Sequence, residues 1–385
     1  MTDRLLDDAL RRVFARLSRE PDFDAPELQA HDSADELILA TAADAVRAAG
    51  SGEVVVIGDR HGALTLGAAA VLGATGIRTH QDPLLGERAL LANAERLGLA
   101  DAYASHELDE RLLDGARVVL LQLPRGLDAL DEIAQAVARW ADPGARLFAG
   151  GRVKHMTPAQ NEVLGRSFAE VSAGLGRRKA RVLTAASPRA TRDPSLWPRW
   201  GADRELPFRV AAHGATFGGA VLDHGSRLLL RTLAEDPPAS APRRAVDLGC
   251  GNGSLAVSAA LRWPEARIVA TDQSSAAVSA TRLTAEAAGV ADRVEVHRAD
   301  ALEAVPDGWS ELILLNPPFH TGSTVHAGIA HRLIRACRRA LADGGELRIV
   351  FNSHLRYRPL VERAVGPVRE LARDRTFTVL SAVRR

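Results

Sequence analysis

Cysteine is nearly missing from this chain: Cys250 and Cys337 are the only two in 385 residues, far apart and without metal-ligand spacing. That scarcity excludes a disulfide framework and gives no zinc site. Lysine occurs only at 154 and 179, so basic charge is carried almost entirely by arginine. The net charge of +1 is too small for bulk attraction to nucleic acid. Long apolar runs are also lacking, since glycine or charge interrupts each one before it reaches the length that spans a bilayer. Met1 to Arg12 alternates acids and bases among leucines at helical spacing, unlike the charged-then-apolar layout of a secretory leader, so no membrane partner and a cytoplasmic protein are expected. His320, His326, His331 and His354 match no usual ligand set, and no Ser/His/Asp or nucleophilic-cysteine arrangement has local support. No metal is expected.

What is present suggests two domains, the prior for a chain of this length. Charge is unevenly distributed: residues 1–149 carry an acidic excess of roughly ten and 150–210 a basic excess of roughly seven. Arg177-Arg178-Lys179-Ala180-Arg181 reads as a basic turn entering a strand, and as either a solvated surface or a phosphate-contacting patch. Pro194, Trp197, Pro198 and Trp200 lie in a stretch that continues neither helix nor central strand, which places domains at 1–205 and 206–385.

In the second half, Val246-Asp247-Leu248 is a strand end followed by Gly249-Cys250-Gly251-Asn252-Gly253. Glycines at alternate positions let the main chain pass close to a nucleotide-like ligand and turn into a helix. A second strand ends in Asp272, at the spacing of a ribose-binding carboxylate. A third ends in Asp300, and a fourth runs into Asn316-Pro317-Pro318-Phe319. Alternating strands and helices predict a parallel sheet covered on both faces, with Thr376–Val383 as a last, antiparallel strand. The first half repeats the pattern in worn form. Val54-Val55-Val56-Ile57-Gly58-Asp59-Arg60-His61-Gly62 lacks two of the alternate glycines, Asp82 takes the place of Asp272, and Gln122-Leu123-Pro124-Arg125 replaces Asn-Pro-Pro-Phe. Ala141–Phe148 echoes Ala342–Ile349. A repeat of this period means two similar domains, the first without cofactor or catalysis.

Both Asn316 and Pro317 precede a proline, which holds each backbone extended and the loop stiff. Such a loop can aim the Asn316 side-chain oxygen and the Pro317 carbonyl at the two hydrogens of an exocyclic amine. Phe319 offers a face for a base to stack on. Phe217, Leu222 and Gly225 are expected to cover the cofactor from the other side.

This set of motifs resembles the class I S-adenosylmethionine-dependent methyltransferases. A nicotinamide Rossmann enzyme shares the first two strands but has no use for Asn-Pro-Pro-Phe. With the duplicated first half, Gly344–Val350 and Asn352-Ser353-His354-Leu355-Arg356-Tyr357, the chain is similar to the two-domain bacterial rRNA guanine-N2 methyltransferases, and closer to the large-subunit (23S) type than to the small-subunit (16S) type. The resemblance implies an α/β fold of two tandem Rossmann-like class I methyltransferase domains, the first degenerate and assisting RNA docking. It implies S-adenosylmethionine held by Phe217, Asp247, Gly249, Cys250, Gly251, Asn252, Gly253, Asp272, Gln273, Asp300, Ala301 and Asn316. Catalysis would rest on Asn316, Pro317 and Phe319, with ribosomal RNA or a ribosomal subunit precursor as partner. A 16S target, adenine N6 or a protein glutamine remains open, as does a non-catalytic RNA-binding or ribosome-assembly protein that kept the fold.

Overall fold

The computed structural model describes residues 3–22, 28–189, 196–317 and 324–385. The chain divides into two units, Met1–Trp197 and Pro198–Arg385. The division falls ahead of the start expected at Leu206. Pro198 onward belongs with the second unit because a short hairpin joins it there: Ala211 N donates to Thr284 Oγ1 at 3.0 Å.

The first unit contains β1 (Val54–Ile57), β2 (Ile77–His80), β3 (Tyr103–Ser105), β4 (Val118–Gln122), β5 (Arg146–Arg152), β6 (Phe168–Ala173) and β7 (Ala180–Pro188). The hairpin of the second unit is β8 (Arg199–Ala202) and β9 (Arg209–Ala212). There follow β10 (Arg244–Leu248), β11 (Arg267–Asp272), β12 (Val294–Arg298), β13 (Ser310–Leu315), β14 (Leu341–Asn352), β15 (Val368–Arg373) and β16 (Phe377–Val383). Among the described residues these build two seven-stranded sheets, in the orders β3-β2-β1-β4-β5-β7-β6 and β12-β11-β10-β13-β14-β16-β15. Rank for rank the two orders are the same. In each sheet the first five strands of the order run parallel and the last two join antiparallel.

The period of two along each strand divides its side chains between two cores. In β10 and β13, Ala245, Leu312 and Leu314 pack with Leu229 and Leu255 of the helices His224–Glu235 and Ser254–Arg262. Val246, Leu248, Ile313 and Leu315 pack with Leu333, Ile334 and Cys337 of the helix Thr324–Ala340. The first unit does the same, with Val54, Val56 and Leu120 on one face and Val55, Ile57, Val119 and Leu121 on the other. Burying both faces leaves the strand ends, where the loops cluster, as the place for chemistry.

Strand pairing corrects the register of the internal repeat. Ile57 lies opposite Leu121 as Leu248 lies opposite Leu315, and Leu121 opposite Ala149 as Leu315 opposite Ile349. Ala149 thus corresponds to Ile349, one residue away from the register of the sequence echo. Ile57 is also opposite His80 as Leu248 is opposite Thr271, so Gln81, not Asp82, holds the place of Asp272. Among the described residues no helix is long and apolar enough to cross a membrane, and no group of three or more His, Cys, Asp or Glu is placed to hold a metal ion.

Candidate active site

From the end of β10 the chain turns through Gly249, Cys250, Gly251, Asn252 and Gly253 into the helix Ser254–Arg262. The turn is held to β11, where the Thr271 carbonyl accepts from Gly249 N at 2.8 Å and Cys250 N at 3.0 Å. Gly249 and Gly251 have φ of 78° and 55°, and a Cβ on either would meet nothing within 4 Å. The backbone there favours glycine, and the space above it is open for a ligand. Asp272 borders that space: Oδ2 accepts from Gly251 N at 3.1 Å and Oδ1 from Ser274 N at 3.0 Å.

The side chains of three residues expected to hold the cofactor make contacts that shape the loop. Asp247 is buried, and its Oδ2 accepts from Ala256 N at 2.9 Å, tying the strand end to the helix. Burial raises its pKa to about 7 against that hydrogen bond, and the Asp272 charge adds to the rise. Cys250 is buried with Thr281 Oγ1 donating to its Sγ at 3.2 Å, and burial pushes the thiol well above its usual range, so it is a small inert packing residue. Asn252 Nδ2 donates to the carbonyls of Gly219 and Val221, both at 2.9 Å, while its Oδ1 accepts from Ser254 Oγ at 2.7 Å. Asn252 thereby pins the segment carrying Phe217, which is 47% exposed. Leu222, expected to cover the cofactor with Phe217, instead packs in the core.

Leu315 pairs with Leu248, which brings Asn316 beside the glycine loop at the C-terminal edge of the sheet. Asn316 Nδ2 donates to Asp223 Oδ2 at 2.9 Å and to Ser226 Oγ at 3.0 Å. Its Oδ1 is buried with no partner among the described residues. Asp223 is the N-cap of the helix His224–Glu235, and the same Oδ2 accepts from Gly225 N at 2.9 Å and Ser226 N at 3.1 Å. A carboxylate accepts and does not donate, so the amide must present NH2 to Asp223 and turn its oxygen away. Gly225 leaves room for this, since a Cβ there would stand 3.3 Å from Asn316 Oδ1. Pro317 is buried directly after. Phe319, with Pro318 and His320, lies outside the described residues.

Beyond β12, Asp300 is occupied. Arg332 Nη1 donates to its Oδ2 at 3.0 Å and Arg332 Nη2 lies 2.9 Å from its Oδ1. Arg332 sits on the helix that follows the Asn-Pro-Pro-Phe segment, so the pair ties that helix to the third strand end. Ala301 takes φ 50° and its carbonyl accepts from Thr271 Oγ1 at 3.0 Å. The Gln273 carbonyl faces Arg298 Nε at 3.4 Å. Asp223, Ser226 and Arg332 escaped the sequence reading. Asp223 ahead of His224-Gly225-Ser226 is a visible helix start, but nothing local couples it to an asparagine ninety-three residues later.

Residues 207–381 match the family model described as Methyltransferase small domain, and residues 9–189 that described as RLMG N-terminal domain. The protein named Ribosomal RNA large subunit methyltransferase G in Streptomyces coelicolor is 33% identical, over 96% of this chain and 97% of its own length. That of Pseudomonas aeruginosa strain UCBPP-PA14 is 34% identical over 96% and 98%. The chain belongs to the ribosomal RNA large subunit methyltransferase G family. Among solved structures, a 16S rRNA N2 methyltransferase of T. Thermophilus in complex with AdoMet and guanosine superposes with a TM-score of 0.74 at 21% identity, over 97% of this chain and all of that one. The fold is thus the class I methyltransferase fold preceded by an N-terminal domain of like topology.

Within this family architecture, strand register shows how far the first unit has diverged at the equivalent edge. Gly58 and Gly62 match Gly249 and Gly253, with φ of 75° and 98°, so two of the alternate glycines are kept and one, not two, is lost. Arg60 replaces the middle one, Gly251, and adopts the same left-handed conformation at φ 41°. Gln81 stands for Asp272 and Gln122 for Asn316. The arginine side chain occupies the edge where the second unit offers bare backbone.

Proposed function

We propose that this chain transfers a methyl group from S-adenosylmethionine to the exocyclic N2 amine of a guanine in 23S rRNA, using the second unit alone for chemistry. The observation that carries this reading is the buried Asn316 Oδ1, without a partner among the described residues, beside an open glycine loop in a chain of this family. The residues fit the cofactor: Gly249 to Gly253 offer backbone, Asp272 a carboxylate, and Phe217, Gln273, Asp300 and Ala301 the border. When bound, S-adenosylmethionine supplies an electrophilic methyl on a sulfonium. Asn316 Oδ1 and the Pro317 carbonyl each accept one hydrogen of the target amine, which orients its nitrogen toward the methyl. Asp223 and Ser226 keep the Asn316 amide in the orientation this needs. Phe319 supplies the stacking face for the base. Asp300, already paired with Arg332, retains acceptor capacity for an amine of the cofactor.

The test is incorporation of labelled methyl into protein-free 23S rRNA, 16S rRNA and their ribosomal particles, followed by nucleoside mapping. N2-methylguanine in 23S rRNA is expected. Label confined to 16S rRNA would move the target, and none in any substrate would favour a non-catalytic RNA-binding protein.

A further inference from the structure

The first unit has a cavity of about 210 Å³ at the C-terminal edge of its own sheet, where the second unit carries its site. Arg60 reaches it from the loop after β1, Arg125 from the loop after β4, Arg152 from the end of β5, and Lys154 and His155 from the short turn that follows. Register makes the conversion residue by residue: Arg60 stands for Gly251, and Arg125 follows Gln122 by three positions as Phe319 follows Asn316. Arg152 and Lys154 stand for Asn352 and His354. A site built for a cofactor and an unstacked base has become a ring of cations.

Among the described residues, no carboxylate lies within ion-pair distance of Arg60, Arg125, Arg152 or Lys154, and Arg152 Nε is buried with no acceptor. Asp32, the one acid on the wall among the described residues, accepts from Ala34 N at 2.7 Å as the cap of the helix Ser33–Ala48. His155 titrates below its usual value, through desolvation first and then through the charges of Lys154, Arg125, Arg152 and Arg60. The basic turn singled out in the sequence is different: Arg177 Nη2 donates to Asp7 at 2.6 Å, and Arg178 pairs with both Glu36 and Asp7. Those guanidiniums are neutralised within the protein.

We infer that the cavity formed by Arg60, Arg125, Arg152 and Lys154 is a phosphate-binding site that holds the backbone of the RNA substrate. The inference rests on the proposed RNA substrate and adds to it the place where the catalytically silent unit grips the chain. Arginine forks suit phosphate oxygens, and the unused Arg152 N–H gains an acceptor. Bound phosphate also removes the mutual repulsion of the cations, which is what depresses His155 after desolvation.

The experiment uses full-length protein without cofactor and an rRNA fragment, with binding followed across a salt series. Arg60→Gly, Arg125→Gln and Lys154→Gln together remove three charges, and Arg60→Gly relieves a left-handed backbone position. Each lost phosphate contact lowers the slope of log affinity against log salt by roughly 0.7–0.9, so the triple variant should lose about two to three and bind at least about tenfold more weakly. The charge-keeping pair Arg125→Lys and Arg152→Lys should retain the slope, which separates charge from folding. An unchanged slope in the triple variant, while the wild type still methylates rRNA, overturns the site and leaves the activity standing. A wild type that binds no rRNA overturns both. If calorimetry shows inorganic phosphate or a guanosine mononucleotide saturating the cavity at millimolar concentration while RNA affinity stays unchanged, the cavity takes a free small phosphate and the RNA assignment fails.

Discussion

In the proposed reaction the amide of Asn316 serves in only one of its two orientations, and Asp223 selects that one. Two variants separate this role from helix capping. Asp223→Ser can still cap the helix but is too short to reach Asn316; it should cost under about 1 kcal/mol of stability. Cofactor affinity should be kept while kcat falls, on the order of tenfold or more. Asp223→Asn can place its amide oxygen where Oδ2 now accepts three hydrogen bonds, and should restore most of kcat. Equal turnover in both variants would show that Asp223 only caps. A second residue-scale prediction uses the experiment already present in the first unit: Gly251→Arg copies Arg60, whose backbone tolerates the same conformation. The protein should fold, and calorimetry should find no cofactor binding. The glycine loop, Asp272 and Asn316 were legible because each ends a strand with a chemically marked residue. Asp223 was not, because its partner is distant in sequence. Nor was the burial of the Asp247, Cys250 and Asn252 side chains, since the packing of the loop against its helix decides which way each one faces.

Among the elements, β14 carries the least expected side chain. Arg348 is fully buried; its Nε donates to Glu346 Oε1 at 2.8 Å and its Nη1 to the Thr232 carbonyl at 3.1 Å, near the end of the helix His224–Glu235. Ser381 Oγ of β16 donates to the same Glu346 oxygen at 2.6 Å. One ion pair therefore joins two strands and the helix that positions Asn316. Arg348→Met leaves Glu346 without its cation and should destabilise the protein by about 3–5 kcal/mol in denaturant titration, whereas Arg348→Met with Glu346→Leu should recover much of it. The central strands were readable from apolar runs. The edge strands β6 and β15 were not: Phe168–Ala173 and Val368–Arg373 are largely exposed and space their apolar residues irregularly, so they carry no hydrophobic alternation.

At the scale of the whole molecule, the two units solve one problem with different residues. The helix after β10 has its Ala256 N–H met by Asp247 from within the strand. The equivalent Thr65 N–H is met by Asp59 Oδ2 at 2.7 Å, from the position that corresponds to Cys250. Burial raises Asp59 to about 6 and Asp247 to about 7, and raises Asp35 as well. A carboxyl whose folded pKa exceeds its unfolded value binds more protons when folded, so its contribution is complete below about pH 4 and is lost as pH rises to 6–7. At about 1.4 kcal/mol per pKa unit, each shift is of order a few kcal/mol. Urea midpoints should fall between pH 4 and 7, and Asp59→Asn with Asp247→Asn should flatten that fall. A double variant with the full wild-type slope would place the titration elsewhere.

The order β14-β16-β15 also has a consequence for how the chain is made. Synthesis delivers β14 and β15 first, yet neither pairs with the other; both pair with β16, which is translated after them. Until residues 377–383 leave the ribosome, the edge of β14 from Glu346 to Asn352 is an unpaired template for any neighbouring nascent chain. A message truncated after Asp374 should therefore yield pelleted aggregate rather than a slightly smaller enzyme, and supplying Phe377–Val383 as a separate peptide during refolding should return part of it to the supernatant.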